Sequence, residues 1–296
     1  MSLAGLKTAV IGGDARELEI VRLMKLEGMD VKVIGLPPAV EAVLGRPQEK
    51  TVGDAIDGCQ ALVLPIPGQA LDEAIFAPAW PERIYVRPAD LARAVKPACM
   101  VMGWASPTLK GDLEHAGIRL REYEKDDELM ILRSRAIAEG AIKIIIENTD
   151  VTIHKAKVFL LGFGRVAMTM LEVLNALGAR VTLVARNPAQ LARGWEMGAE
   201  PLELTQLAGS IGQARIVINT VPVRLLDAGM IKLTAPDVLL IDMSAPPGGI
   251  DFDAAKALGR KGVWARGLGS RAPVTVGGSQ WKGVRKILVE ELRPQN

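Results

Sequence analysis

The chain has 296 residues, of which 49% are hydrophobic, 24% charged and 4% aromatic, with a formal net charge of +2. This composition is typical of globular proteins, and the length is sufficient for two domains. Basic residues are interspersed with acidic ones and aromatic side chains are few, so we expect no nucleic-acid partner. The apolar runs are no longer than strands, so we also expect no membrane association.

The cysteine content and the N-terminal sequence predict a cytoplasmic protein. The chain contains Cys59 and Cys99, too few for a disulfide framework, and residues 1–13 lack the features of a signal peptide. The spacing of cysteine and histidine suits no metal site, so we expect no bound metal.

The first half alternates predicted strands and helices. Its strands, each a short apolar run, are expected at 8–11, 31–34, 61–64, 100–102 and 118–120. A helix should follow the turn at 12–16 and end near Gly28, and another should follow Pro107. The alternation predicts an α/β fold with a doubly wound parallel sheet, here a flavodoxin-like N-terminal substrate domain over 1–150.

The second half predicts another doubly wound parallel sheet over 151–277. A helix at 125–148 with apolar residues at helical spacing precedes it. Its strands are expected at 157–161, 180–185, 215–218, 238–241 and 263–265. A C-terminal helix over 278–296 has an apolar face that could pack on the first domain.

The strongest motif is Gly162-Phe163-Gly164-Arg165-Val166-Ala167, placed between a strand and a helix, with a second strand following. This order within about 30 residues is the context that a dinucleotide fingerprint requires, so we expect 151–277 to be a Rossmann dinucleotide-binding domain. Gly162 allows the tight turn, Gly164 lets the backbone approach a pyrophosphate, and Ala167 permits close packing of helix on strand. The pyrophosphate would bind the free N–H groups at the start of the helix.

The residue at the end of the following strand predicts NADP as the cofactor. NAD-binding domains usually place an acid here, whereas this chain has Arg186 and then Asn187. The arginine fork suits the 2′-phosphate of NADP. The alternative is that Arg186 is a solvated surface residue.

Loops at the carboxyl ends of parallel strands are where such sheets bind ligands. In the first domain, the loop at 12–16 contains Gly13, Asp14 and Arg16, and Ser106 follows the strand at 100–102. Asp14 should cap the next helix, but a cation at Arg16 is disfavoured by the helix dipole, which suggests a nearby anion. The alternative is that Asp14 and Ser106 only cap helices.

In the second domain, three loops rich in glycine and proline, at 219–222, 243–249 and 267–278, should rim the cofactor cleft, unless they serve only as turns. The candidate cofactor-binding residues lie in these loops, in the fingerprint and after its second strand: Gly162, Phe163, Gly164, Arg165, Val166, Arg186, Asn187, Thr220, Val221, Pro222, Pro273 and Thr275.

The obvious catalytic residue types are placed at the opposite edge of the sheets. His154 and Cys59 precede predicted strands, Cys99 begins one, and His115 ends a helix that leads into one. We therefore assign no catalytic residue, and a mechanism that needs a histidine general acid is disfavoured.

Taken in order, the chain's motifs resemble the family of dipicolinate synthase A subunits, sporulation proteins of endospore-forming bacteria, over nearly the whole chain. The motifs that carry the resemblance are at 12–16, 64–68, 126–127, 138–141, 148–154, 161–165, 185–186, 191–193, 196–198, 218–222, 247–252 and 272–275. The chain departs from the family at 133–137, where the family usually has Asn, then Pro-Thr.

The resemblance implies an NADP-dependent oxidoreductase acting on a CH–CH or ring CH–NH group. Its substrate would be 4-hydroxy-tetrahydrodipicolinate, the product of a lysine-pathway synthase, or the dehydrated dihydro form, and its product dipicolinate. It further implies a partner, the flavoprotein-like B subunit, together with a homo-oligomer and the mother-cell cytoplasm. The residues expected to bind the dicarboxylate are Gly13, Asp14, Arg16, Ser106, Arg133, Glu139 and Ser244.

Two other functions remain open from the sequence. The departure at 133–137 favours another two-domain NADP-dependent dehydrogenase acting on a different small acid. The lack of an evident acid–base residue favours a non-catalytic NADP-binding sensor or docking module.

Overall fold

The computed structural model describes residues 2–123 and 126–292 and divides the chain into two compact units. One unit is Met1–Arg133 with Ala272–Asn296, and the other is Ser134–Arg271. Among the described residues, no helix combines the length and the apolar character needed to cross a membrane.

The first unit contains a parallel sheet in the order β2-β1-β3-β4-β5, the flavodoxin-like order. Its strands are β1 (Lys7–Ile11), β2 (Asp30–Ile34), β3 (Ala61–Val63), β4 (Ala98–Met102) and β5 (Ile118–Glu122). The chain order reverses between β1 and β3, so the carboxyl ends of these two strands flank the switch point at which such sheets bind ligands.

Helices cover this sheet, which is why β4 is buried along its whole length. They are α1 (Ala15–Leu26), α2 (Val40–Leu44), α3 (Val52–Ile56), α4 (Pro88–Leu91), α5 (Pro107–His115) and α6 (Asp127–Leu132), joined by the C-terminal α13 (Pro273–Glu291). The last helix packs closely on α1, where a Cβ added to Gly277 would lie 2.5 Å from the carbonyl oxygen of Arg16. Helix α13 begins earlier than the expected 278, and residues 293–296 lie outside the described part of the chain.

The second unit contains a parallel sheet in the order β11-β10-β9-β6-β7-β8, which is the Rossmann order with its switch point between β6 and β9. Its strands are β6 (Lys157–Leu161), β7 (Arg180–Ala185), β8 (Glu200–Glu203), β9 (Ile216–Asn219), β10 (Leu239–Asp242) and β11 (Lys261–Trp264). Its helices are α7 (Ser134–Asn148), α8 (Arg165–Ala176), α9 (Pro188–Glu196), α10 (Leu207–Ser210), α11 (Ala228–Lys232) and α12 (Phe252–Ala257). The predicted fold class, α/β with two parallel sheets, is confirmed.

Strand β8 and the break between α6 and α7 were not predicted from the sequence. Strand β8 was not predicted because its sequence, Glu-Pro-Leu-Glu, is mostly exposed and has no apolar run. The helix expected at 125–148 is two helices, α6 and α7, separated at Arg133; Lys125 lies outside the described residues. The apolar periodicity continues across Arg133 and therefore did not reveal the break.

The two units divide at this break, whereas the expected boundary was at 150. Helix α7 belongs to the second unit because its buried residues Ala138, Ala141 and Ile145 join the apolar core around β6. It also approaches the segment before α13 within that unit, where a Cβ on Gly140 would lie 3.1 Å from Leu268.

Candidate functional site

The fingerprint forms the turn between β6 and α8 at the switch point of the second sheet. Gly162 has φ = 89°, and a Cβ there would lie 2.7 Å from Thr220 Oγ1 and 2.6 Å from Val221 Cγ2. Only glycine fits such a position. Ala167 is fully buried in the core, so a larger side chain would separate α8 from the sheet.

The start of helix α8 is open to a ligand. Gly164 is its N-cap and supplies no side-chain cap. A Cβ added to Gly164 would meet no other part of the described protein within 4 Å. Backbone N–H groups at the first turn of a helix need an acceptor, and an anion supplies it with help from the helix dipole. The geometry therefore fits the pyrophosphate of a dinucleotide.

A buried carboxylate holds the two neighbouring loops at the same edge. Asp242, at the end of β10, is fully buried and accepts hydrogen bonds on both oxygens. Its Oδ1 accepts from Asn219 Nδ2 (2.9 Å) and from the backbone N (2.9 Å) and Oγ (2.6 Å) of Ser244. Its Oδ2 accepts from the backbone N of Gly249 (2.6 Å) and of Ile250 (3.2 Å). The loops after β9 and β10 are therefore joined through one side chain.

Sequence reasoning missed Asp242, although an acid ending an apolar strand before a Gly/Pro-rich loop was a usable signal. Ser244 was predicted instead, and its hydroxyl donates a hydrogen bond to Asp242. The hydroxyl of Thr220 also has a structural partner. Its Oγ1 donates to the carbonyl of Leu161 at 2.8 Å and so joins the loop after β9 to the strand that precedes the fingerprint.

Arg186 extends from the end of β7 and is exposed. No hydrogen bond or ion pair joins it to another described residue. Asn187 caps α9, with its Oδ1 accepting from the backbone N of Ala189 at 2.8 Å. Arg186 thus presents its guanidinium to solvent one residue beyond the strand, where the adenosine ribose lies in this fold.

Other predicted cofactor residues fall in different places. Phe163 is buried and Val166 partly buried in the fingerprint turn, Arg165 is the first residue of α8, and Pro222 is exposed after Val221. Pro273 and Thr275 lie in the first turn of α13 and so belong to the unit that lacks the fingerprint.

The loop after β1 in the first unit forms a compact charged cluster. The Oδ1 of Asp14 accepts from the backbone N of Arg16 at 2.9 Å and so caps α1. The Arg16 guanidinium donates to both carboxyl oxygens of Asp14, each at 2.9 Å. Burial disfavours the Arg16 charge, but the hydrogen bond to Asp14 and the field of Glu17 leave its pKa raised. The cation in the first helical turn, which had suggested a bound anion, is therefore balanced within the loop.

Glu17 connects this loop to the loop after β3. It is fully buried, and its Oε2 accepts from the backbone N of Asp14 at 2.9 Å while its Oε1 accepts from that of Ile66 at 3.4 Å. Burial raises the pKa of the Glu17 carboxyl, against the opposing effect of Arg16. Gly13, with φ = 127°, leaves room for it, since a Cβ there would lie 2.5 Å from Glu17 Cγ. The capping-box position of Glu17 was a sequence signal for it.

A second polar group lies near the carboxyl end of β3. Tyr123 is buried, and its hydroxyl donates to the carbonyl of Leu64 (3.2 Å) and accepts from Gln280 Nε2 (2.8 Å). Tyr123 and Gln280 line a small cavity together with Arg133. Of these three, only Arg133 was a predicted site residue.

The two remaining predicted substrate residues have structural partners. Ser106 is buried and caps α5, its Oγ accepting from the backbone N of Leu109 at 3.1 Å. Glu139 lies on the exposed face of α7 and pairs with Arg271 within the second unit. Gly13, Asp14, Arg16, Ser106 and Arg133 thus share the first unit, whereas Glu139 and Ser244 belong to the second.

The histidines and cysteines lie away from these carboxyl edges. His154 is exposed before β6, and His115 ends α5 with its Nδ1 2.7 Å from the carbonyl oxygen of Gly111. Both thiols are buried, and burial raises the pKa of Cys59 to about 11 and that of Cys99 to about 12. Neither thiol is suited to act as a nucleophile.

Comparison with known proteins identifies the family. Residues 7–124 match the model of the N-terminal domain of the dipicolinate synthase A subunit, and residues 136–256 match that of the alanine dehydrogenase/PNT C-terminal domain. The dipicolinate synthase A subunit of Bacillus subtilis (strain 168) is 32% identical over 292 residues, which cover 97% of each protein. The chain belongs to the family of dipicolinate synthase A subunits.

Two crystal structures of dipicolinate synthase A subunits agree with this assignment. The protein from Bacillus subtilis is 31% identical, with a TM-score of 0.87 over 98% of this chain and 97% of that one. The protein from Bacillus halodurans is 30% identical, with a TM-score of 0.88 over 97% of this chain and 99% of that one. The resemblance noted from the sequence is confirmed, and so is the Rossmann-like domain of an oxidoreductase. The family name, that of one subunit of a synthase, implies a partner subunit.

Proposed function

We propose that this chain is the A subunit of a dipicolinate synthase that uses NADP⁺ to oxidise 4-hydroxy-tetrahydrodipicolinate, or its dehydrated dihydro form, to dipicolinate. The hydroxylated substrate loses one water, one hydride and one proton in becoming the aromatic product. NADP⁺ would accept the hydride. The open, glycine-capped start of α8 at the Rossmann switch point, in a chain of this family, is the observation that carries the proposal.

The chain's own contribution is to position two ligands. Aromatisation of the ring favours the reaction, so the protein has mainly to align ring and cofactor and exclude water. The fingerprint turn, 162–167, would hold the pyrophosphate, and Arg186 would bind the 2′-phosphate by charge-assisted hydrogen bonds. We also propose that the cofactor contacts the other residues expected from the sequence, namely Asn187, Thr220, Val221, Pro222, Pro273 and Thr275.

The dicarboxylate is assigned to the carboxyl edge of the first sheet. Asp14 and Glu17 hold the loop at 12–16 in a fixed conformation at the β1/β3 switch point, and Arg133 is the first candidate for a contact with a substrate carboxylate. Arg16 is a weaker candidate, because Asp14 already balances its charge. Glu139 and Ser244 have weaker claims, because the first is paired with Arg271 and the second bonds Asp242. We further propose that the chain works as a homo-oligomer with a flavoprotein-like B subunit.

The cofactor assignment is tested by titrating NADPH and NADH into the wild-type protein and Arg186→Ala. Loss of a charge-assisted contact to phosphate contributes roughly 1.5–3 kcal/mol, so the preference for NADPH should fall about 10- to 150-fold. Arg193→Ala is the matched control, since Arg193 lies on α9 and pairs with Glu196 at the surface. Equal affinities for the two cofactors in the wild type would refute the assignment.

The reaction is tested by supplying the lysine-pathway synthase product with NADP⁺, with and without the B subunit, and following NADPH absorbance and dipicolinate. Formation of both in equal amounts supports the proposal. Turnover only of another cyclic or linear dicarboxylate would indicate a different dehydrogenase. Tight NADPH binding without turnover of any of these acids would indicate a sensor or docking module.

A further inference from the structure

The orientation of the Gln280 amide is determined by its neighbour. Tyr123 has a single hydroxyl proton, and it is donated to the Leu64 carbonyl. The 2.8 Å contact between Tyr123 and Gln280 must therefore have the amide Nε2 as donor, which turns the amide oxygen away from the tyrosine. Gln280 is only 3% exposed, and its Oε1 has no hydrogen-bond partner among the described residues.

This unpartnered acceptor belongs to a residue that lines a small, partly open and mainly apolar cavity. The cavity has a volume of about 10 Å³, enough for one oxygen-sized group but not for a ring. Most of its wall is apolar, from Ile66, Leu129 and Val276, and Arg133 adds a cation. Because buried acceptors in native proteins are nearly always satisfied, this site calls for a hydrogen-bond donor.

The cavity also has the right position for a ligand. Ile66, in its wall, belongs to the loop that follows β3, at the carboxyl edge of the sheet and beside the switch point with β1. Doubly wound sheets bind their ligands at that edge. A ligand held there by its body could place one small group in the cavity.

We propose that this cavity is a hydroxyl pocket, in which Gln280 Oε1 accepts a hydrogen bond from the 4-hydroxyl of the substrate. The proposal rests on the proposed function, since that substrate carries a hydroxyl that the aromatic product has lost. Arg133 brings positive charge to the same place and suits a ligand that also carries a carboxylate. The pocket therefore favours substrate over product and assists release of dipicolinate.

The test compares two ligands that differ by one hydroxyl, cis-piperidine-2,6-dicarboxylate and its 4-hydroxy derivative. Both are titrated calorimetrically into the full-length chain saturated with NADPH. The hydroxylated compound should bind about 5- to 10-fold more tightly, the worth of one hydrogen bond to a buried acceptor. In Gln280→Met, which keeps length but removes the carbonyl, the difference should fall below about twofold.

Ser279→Ala is the matched control, because Ser279 also lines the cavity but its hydroxyl donates to the Val276 carbonyl. The Ser279→Ala variant should still bind the hydroxylated compound more tightly than the other. Equal wild-type affinity for the two compounds would mean that Gln280 is satisfied by a structural water only, and would overturn the inference while leaving the proposed function intact. Failure of both compounds and of dipicolinate to bind, with NADPH still bound, would overturn both. The wild-type comparison decides even where Gln280→Met does not fold.

Discussion

Replacing Asp242 with asparagine changes one oxygen of a fully buried carboxylate into an N–H donor. One of the two possible amide orientations keeps the oxygen toward the donors from Asn219 and Ser244. The new NH₂ group then faces the backbone N–H groups of Gly249 and Ile250, which now lie 2.6 and 3.2 Å from Oδ2. Two buried donors lose their acceptor.

Each such loss costs roughly 1–3 kcal/mol, so Asp242→Asn should lower the free energy of unfolding by about 2–6 kcal/mol. In the reverse orientation the Ser244 hydroxyl can rotate to accept from the new NH₂ group, but Asn219 Nδ2 and the backbone N of Ser244 lose their acceptor, so again two donors are unmatched. The measurement is urea unfolding followed by tryptophan fluorescence. Trp264 is a suitable reporter, because its Nε1 donates to the Ser244 carbonyl at 3.2 Å, within the affected loop.

Asp237→Asn is the matched control, since Asp237 precedes the same strand and forms an exposed pair with Arg215. It should change stability by less than about 1 kcal/mol. NADPH affinity should also fall in Asp242→Asn, because the loop held by Asn219 contacts Gly162 through Thr220 and Val221. A cost for Asp242→Asn no larger than that for Asp237→Asn would refute the view that one carboxylate holds this edge together.

Three further predictions concern titratable groups. Burial raises the pKa of Glu17, so its contribution to stability is complete below the ordinary glutamate pKa of about 4.3 and is lost as the pH rises through the raised pKa. Urea unfolding from about pH 4 to about pH 8 should therefore show the wild type losing stability relative to Glu17→Gln, and parallel profiles would contradict this. His115→Gln and His154→Gln should each alter NADPH affinity and turnover by less than about twofold, and a loss of about a hundredfold in a folded variant would contradict their assignment to the amino edge. Cys59 and Cys99 should resist a thiol reagent at about pH 8 until urea exposes them, and prompt labelling of the native protein would refute their burial.

The parts of the fold that the sequence predicted well are those governed by local rules. Strand β7 was expected at 180–185 and is Arg180–Ala185, and β6 was expected at 157–161 and is Lys157–Leu161. Each is an apolar run bounded by glycine or polar residues, and the fingerprint glycines between them follow from a turn only glycine can form. The family resemblance depended on the same short motifs.

Other local features were ambiguous because more than one structure satisfies the same pattern. Arg16 in the first turn of α1 suggested a bound anion, but the carboxylate of Asp14, two residues earlier, provides its counter-charge. The apolar spacing across Arg133 suits one helix or two equally well. Strand β8 forms because it pairs with β7, since three of its four residues are exposed and only Leu202 packs against the core.

The class of fold, the dinucleotide fingerprint and the family could be predicted from the amino-acid sequence, because each depends on residues that lie close together in the chain. The tertiary structure alone brought Asp242 to donors from Asn219 and from 244–250, and brought Gln280 to Tyr123 across 157 positions of sequence. The physical reason is that a buried polar side chain takes its partners from whatever segments the packing of the apolar core places beside it. A local pattern can mark such a side chain, as the acid at the end of β10 does, but it does not show which distant residues will bind it.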